Sequence, residues 1–143
     1  MSEPVWDPAT LPPTAIDPEC TLDGFLGLEW LEVTDHSAAV RFEVRDQLKQ
    51  AFGLVHGGIY SAVAESVASL ATVRVVWRDG LLAQGLSNSA SFLRPVTAGH
   101  VHVSAHCRAR DQREWLWGHE FRDAGGRLCA LVDVTIAVRQ RRA

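Results

Sequence analysis

The stretch Gln50-Ala51-Phe52-Gly53-Leu54-Val55-His56-Gly57-Gly58 leads straight into the only long helical pattern of the chain, which carries Glu65. Two glycines at a helix start let another group come close to the backbone. The first N–H groups of the helix have no partner within it, and the positive end of the helix dipole stands behind them. Such a start suits a carbonyl oxygen that becomes an oxyanion, because the donors are in place before the charge develops. Gln50 and His56 are polar groups able to orient the same ligand. The plainer reading of these residues is a tight turn followed by a solvated glutamate.

The helical pattern runs from His56 to about Val76. Ile59, Ala62, Val63, Ser66, Val67, Leu70 and Val73 recur at helical spacing and predict a core-facing stripe. Ser61, Glu65, Ser69 and Thr72 occupy the other side. A helix with its back to solvent would carry several charges there. A single carboxylate among small residues predicts that this second face is covered as well. Glu65 lies roughly 13 Å from the helix start at ~1.5 Å rise per residue, too far to meet the oxyanion donors of its own chain. A two-fold dimer would solve this by pairing Glu65 of one chain with the Gly57 end of the other.

Five of the six prolines fall within the first eighteen residues, so residues 1–16 read as an extended arm, anchored by Trp6, ahead of a domain over residues 17–143. Asp17-Pro18-Glu19 has the signature of a helix start, predicting a short helix over about 18–25 with Leu22, Phe25 and Leu26 inward. Two strands follow, Leu28–Val33 and Val40–Val44, around a Thr34–Ser37 turn. After the helix come strands over Leu82 to about Leu93, Gly99–Arg108, Glu114–Arg122 and Arg127 to about Val138. Asp123-Ala124-Gly125-Gly126 marks the last hairpin. One long helix among six strands predicts an α+β domain with an antiparallel sheet.

The chain has 143 residues, 47% hydrophobic, with 14 basic and 17 acidic side chains. That size fits one hydrophobic core. A net charge of −3 argues against a nucleic-acid partner. No uninterrupted apolar run reaches the roughly 18–20 residues of a membrane helix, and the N-terminus lacks a basic start and an apolar stretch. The expectation is a cytoplasmic protein with no membrane partner. Cys20, Cys107 and Cys129 are unclustered and suggest neither a disulfide framework nor a cysteine zinc site. His100, His102 and His106 share a strand face that has no acidic or cysteine ligand nearby, so no metal site is expected.

The segment QAFGLVHGGIYSAVAESVASLA, with Gln50, Gly53, His56, Gly57, Gly58, Glu65 and Ser69 in register, resembles the helix motif of hotdog-fold acyl-CoA thioesterases of the phenylacetate-pathway type. It is most similar to the branch of the 4-hydroxybenzoyl-CoA and 1,4-dihydroxy-2-naphthoyl-CoA thioesterases. The similarity covers roughly residues 20–138 and includes Gly126–Cys129. It implies a hotdog fold, an antiparallel sheet wrapped around one long helix, and hydrolysis of an acyl-CoA thioester to the free acid and coenzyme A. It assigns Glu65 as nucleophile or general base and the Gly57 N–H as oxyanion donor. Gln50 and His56 would flank the thioester, and Ser69 would position the carboxylate or the water. The implied assembly is a homo-oligomer, a tetramer built from dimers, with Glu and Ser from one subunit and Gln and Gly from the other. No cofactor is implied, since a carboxylate and an oxyanion site suffice for hydrolysis.

One position departs from the branch. Some relatives place a histidine before the Val-Arg pair beside the acyl pocket, where this chain has Phe92 before Leu93-Arg94. A phenyl ring cannot hydrogen-bond a substrate hydroxyl, so the expected acyl group is aromatic or compact and Phe92 an apolar wall. Arg94 and Arg113 align with basic positions of the family and are the candidates for coenzyme A phosphates, with the tail arginines Arg139, Arg141 and Arg142 behind them. Two other classes remain to be weighed, a hotdog hydroxyacyl dehydratase or hydratase and a non-catalytic acyl-CoA-binding protein.

Overall fold

The computed structural model describes residues 5–142. A short helix α1 (Leu22–Leu26) precedes strands β1 (Glu29–Val33) and β2 (Ser37–Glu43), the long helix α2 (Gly57–Val76), and strands β3 (Leu81–Phe92), β4 (His100–Arg110), β5 (Glu114–Arg122) and β6 (Leu128–Gln140). The strands form one sheet in the order β1-β2-β4-β5-β6-β3, each neighbouring pair antiparallel. The sheet curls around α2, which touches β2, β3, β4, β5 and β6. This is the hotdog arrangement, and it agrees with the α+β class expected from the order of elements.

Burial follows the alternation of the strands. Val101, Val103 and Ala105 on β4, Trp115, Trp117, His119 and Phe121 on β5, and Ala130, Val132, Val134 and Ile136 on β6 point toward the helix and are buried. His100, His102 and His106 lie on the other face, opposite Glu43, Arg41 and Ser37 of β2. Trp115 and Trp117 are core residues, and Trp117 Nε1 donates to Thr72 Oγ1 of α2 at 2.9 Å.

The helix turns a different face to the sheet than its pattern predicts. Tyr60, Val63, Ala64, Val67, Ala68, Ala71, Thr72 and Val76 are buried, whereas Ile59, Ala62, Ser66, Leu70 and Val73 are only partly covered. A sheet wrapped closely around a helix needs small side chains at the contact, so Ala64, Ala68 and Ala71 take the positions that larger aliphatics were expected to fill. Thr72 therefore belongs to the core, with its hydroxyl donating to Ala68 O at 2.7 Å. Extended by the turn to Asp79, the helix is long and apolar enough to span a bilayer by composition, with mean hydropathy 1.3. Here that apolar character is used on the sheet.

The N-terminal helix is also corrected. Pro18–Cys20 forms a single 3₁₀ turn capped by Asp17, and α1 begins only at Leu22. Leu26 is buried, but Leu22 and Phe25 are 58% and 48% exposed. Five residues make barely more than one turn, so one side chain reaches the core and the other two cannot share its direction. The arm expected over residues 1–16 starts outside the described residues, at positions 1–4. Farther along, Trp6 packs edge-on against Trp30 of β1 with ring centroids 5.0 Å apart.

Candidate active site

The start of α2 is built locally. His56 is the N-cap, and its Nδ1 accepts the Gly58 N–H at 2.9 Å. That bond leaves the proton of the neutral ring on Nε2, an outward donor. The His56 carbonyl takes the Ile59 N–H at 2.9 Å. Gly57 N–H is then the helix-start donor with no protein acceptor among the described residues, and the helix dipole stands behind it. The preceding loop closes on itself, with Gly53 at φ 90° donating to Gln50 O. Gln50 Oε1 accepts the Phe52 N–H at 2.5 Å, so the amide is held by its oxygen and its NH₂ remains free to donate.

A long-range contact completes this end. Asp123 accepts from the N–H groups of Gly125 and Arg127, both at 3.0 Å, and pairs with Arg127 Nε at 2.9 Å. These bonds, chiefly the one from the Arg127 backbone, hold the Asp123 carboxyl below the usual carboxylate range. The hairpin delivers Cys129, whose carbonyl accepts the N–H groups of Leu93 and Arg94. The end of β3 is thereby fixed beside the helix start. Gln50, Gly57, Phe92 and Arg94 line one cavity of about 190 Å³, together with Tyr60 and Val96. The Phe92 ring covers Gly57 so closely that a Cβ there would lie 2.7 Å from Cζ.

Glu65 and Ser69 lie elsewhere. They line a groove of about 460 Å³ with Asp23, Ser66, Leu70 and Leu82, which shares no lining residue with Gly57's cavity. Ser66, expected in the core stripe, instead donates to Asp23 Oδ1 at 2.5 Å and ties α1 to α2. Glu65 is exposed and, among the described residues, has no hydrogen-bond or ion-pair partner. On β3 the pairing to β6 slips between Gly85 and Ser87, a bulge opposite Glu65. Asn88 Nδ2 donates to Ser61 O at 2.9 Å and fastens the bulged strand to the helix turn before Glu65.

Arg94 and Arg113 are not brought together. Arg113 lies at the opposite end of the sheet, lining a cavity with Leu81, Glu114 and Arg139, and its carbonyl accepts from Val138 N–H and Arg139 Nη1. Arg141 stacks on Trp77, 3.8 Å from the ring centroid. Three residues of these two sites escaped the sequence reading. Tyr60 is three residues after Gly57, a spacing that puts both on one helix side. Gly85 is an isolated glycine inside a strand, the usual mark of a bulge or a close approach. Asn88 is a residue type depleted in strands.

Residues 52–130 match the family model described as the thioesterase superfamily. The chain belongs to this superfamily. The proofreading thioesterase EntH of Cronobacter turicensis is 31% identical over 118 residues, which span 82% of this chain and 85% of that protein. The 1,4-dihydroxy-2-naphthoyl-CoA hydrolase of Listeria monocytogenes is 29% identical over 117 residues, 82% of this chain and 94% of its own. A Haemophilus influenzae thioesterase structure superposes with a TM-score of 0.78 at 27% identity, covering 86% of this chain and 85% of that one. The protein is accordingly a thioesterase-superfamily enzyme with the hotdog fold, and thioester hydrolysis is its reaction class.

Proposed function

We propose that this superfamily member hydrolyses acyl-CoA thioesters with a compact or aromatic acyl group, in a homo-oligomer whose active sites are shared between subunits. The carrying observation is the division of the chain into two half-sites. Gly57, Gln50 and Phe92 surround one cavity, while Glu65 and Ser69 line a separate groove. Eight residues of helix, about 12 Å, separate Gly57 from Glu65.

A second copy supplies the missing half. β3 is a twelve-residue edge strand, exposed from Gln84 through Phe92 except at Ala90, and it contains neither proline nor lysine. Unguarded edges of that length pair with other strands. Two β3 strands running antiparallel about a two-fold axis bring the cavity of one chain toward the Glu65 groove of the other. Ile59, Ala62, Leu70 and Val73 of α2 are left only half-buried within one chain, which fits such an assembly. A tetramer built from two such dimers is the assembly that the family resemblance suggests.

In the shared site the thioester carbonyl oxygen accepts the Gly57 N–H, and the Gln50 NH₂ and His56 Nε2–H flank it. Glu65 of the other subunit either attacks the carbonyl carbon or removes a proton from water that attacks it. The C–S bond breaks as the tetrahedral intermediate collapses, and coenzyme A leaves as the thiolate. Where Glu65 is the nucleophile this leaves an acyl–Glu65 anhydride, which a water molecule then cleaves to the free acid and the regenerated carboxylate; where Glu65 is the base the free acid forms directly. The proton released from water ends on the thiolate or in solvent, so one water is consumed on either route. Ser69, one turn beyond Glu65, positions the carboxylate or the water. Arg94 of one chain and Arg113 of the other are the candidates for coenzyme A phosphates, since an antiparallel pairing places opposite sheet ends near each other.

The test is a coupled thiol-release assay over an acyl-CoA panel with Glu65→Ala beside the wild type, combined with sedimentation at assay concentration. Benzoyl-type substrates should be cleaved faster than palmitoyl-CoA, and the variant should lose nearly all turnover while remaining folded and oligomeric. Near-wild-type turnover in the variant removes Glu65 from its role. An active monomer refutes the shared site.

A further inference from the structure

A second, smaller cavity adjoins Glu65. It measures about 230 Å³ and is lined by Glu65, Gly85, Leu86, Ser87, Asn88 and Val134. Glu65 also lines the larger groove with Ser69, so its side chain stands between the two spaces. Ser69 lines the groove alone.

The strand bulge is what brings Asn88 to this cavity. Gly85 pairs with Ile136 and Asn88 with Val134, both buried residues on the helix side of β6, while Ser87 pairs with Thr135 between them. Without the extra residue at Leu86, strict alternation would place Ser87 on the helix side and turn Asn88 away. Asn88 Nδ2 donates to Ser61 O at 2.9 Å. A carbonyl only accepts, so the amide nitrogen faces the helix and the oxygen is left for the cavity. Among the described residues Oδ1 accepts no hydrogen bond. The cavity therefore has two unengaged acceptors, Asn88 Oδ1 and the Glu65 carboxylate. Two acceptors cannot bond each other, but a water has a proton for each, and a small polar space admits one.

We infer that Asn88 is a further catalytic residue, whose Oδ1 holds beside Glu65 the water that attacks the acyl carbon. This deepens the thioesterase reading above and rests on it. One proton of the water bonds Asn88 Oδ1 and the other points to Glu65. On the base route Glu65 takes that proton as the water oxygen bonds the thioester carbon, and the C–S electron pair leaves with the thiolate. On the nucleophile route the same water attacks the acyl–Glu65 anhydride. The Glu65 carboxylate then leaves with the electron pair of the broken C–O bond, and the proton passes to the thiolate or to solvent. Ser69, on the groove side, is left to orient the carboxylate.

The experiment measures kcat, KM and the pH dependence of kcat for the wild type, Asn88→Leu and Asn88→Asp. The substrate is whichever of acetyl-, benzoyl- and palmitoyl-CoA the wild type cleaves fastest. Leucine matches the shape of asparagine and removes both amide groups. Its kcat should fall about tenfold, the effect of one hydrogen bond lost from the attacking water, and KM should not rise. Aspartate keeps an acceptor and loses the donor to Ser61 O. It should retain most of kcat at alkaline pH, with the acid side of the profile moved upward, because a second carboxylate beside Glu65 disfavours the charged form. Melting temperatures should differ little, since Asn88 is exposed. A near-wild-type kcat in Asn88→Leu overturns the inference, as does a loss carried mostly by a raised KM. So does an aspartate variant that falls as far as leucine at every pH, which would make Asn88 an anchor of β3 alone. An acid side that stays in place overturns it too, putting the side chain out of reach of Glu65. In each of those cases the thioesterase reading stands. A wild type that cleaves none of the three thioesters overturns that reading and this inference with it.

Discussion

Glu65 and Gly85 share one small space. A Cβ on Gly85 would lie 3.0 Å from Glu65 Oε1, so the carboxylate rests where the edge strand has no side chain. The bulge between Gly85 and Ser87 turns the strand at this point, and Asn88 fastens it to the helix one turn before Glu65. The glycine and the bulge together set the position of the only carboxylate in the groove that belongs to α2.

Gly85→Ala should therefore act on turnover more than on stability. The added methyl meets the free end of a flexible side chain, which can shift by a few tenths of an ångström. Misplacement of a reacting group is costly, with ~1 Å worth up to about a hundredfold. Kinetics beside a thermal melt checks this: kcat should fall about tenfold or more with the melt nearly unchanged. A large loss of stability with kcat retained on the folded fraction would show the glycine to serve the strand alone.

Gly57→Ala should force Phe92 aside, because the new Cβ would lie 2.7 Å from the ring. Phe92 is 58% exposed and can swing outward, so the fold should persist while the acyl cavity loses its wall. A double-mutant cycle with Phe92→Ala measures the coupling. The loss of kcat/KM on Gly57→Ala should be smaller in the Phe92→Ala background than in the wild type. Additive losses would mean that the methyl acts on the oxyanion donor instead.

Thr72 is the hinge of a buried bond chain, receiving Trp117 Nε1 and donating to Ala68 O. Thr72→Val keeps the shape and strands the indole N–H, a loss of about 1–3 kcal/mol in denaturant unfolding. Thr72→Ser should retain most of the stability. Equal losses in both variants would point to packing as the cause.

His119 makes acid stability a testable property. It is buried, its Nδ1 is 3.0 Å from Val132 O, and Nε2 has no partner among the described residues. Burial lowers its pKa from 6.5 to about 4, with Arg108 and His106 adding to the shift and Val132 and Asp133 opposing it. Between those values the unfolded chain binds a proton that the folded chain refuses. Stability from this residue is thus complete above about pH 6.5 and falls as the pH drops toward 4. A displacement from 6.5 to about 4 is worth on the order of 3 kcal/mol. His119→Leu should flatten the unfolding free energy between pH 6.5 and 4, and equal slopes in wild type and variant would exclude His119 as the source.

The start of α2 was legible from sequence because its parts are neighbours in the chain. Two glycines and the spacing to Glu65 and Ser69 depend on local backbone geometry, and each is found where the pattern predicts it; that His56 caps the helix was not read from the sequence. The order of strands was legible for the same reason, since alternation marks one buried face within each strand. The face that α2 turns inward was not. Its sequence is apolar on both sides, and periodicity alone favoured the larger aliphatics over the alanines. The close wrap of the sheet made the opposite choice, because small side chains let the surfaces meet. Tertiary structure likewise decided that Phe92, Arg94 and Tyr60 gather at Gly57, and that Gly85 makes room for Glu65. Those meetings depend on the register of β3 against β6 and on the carbonyl of Cys129, groups tens of residues apart in the chain, and no local pattern encodes such a register.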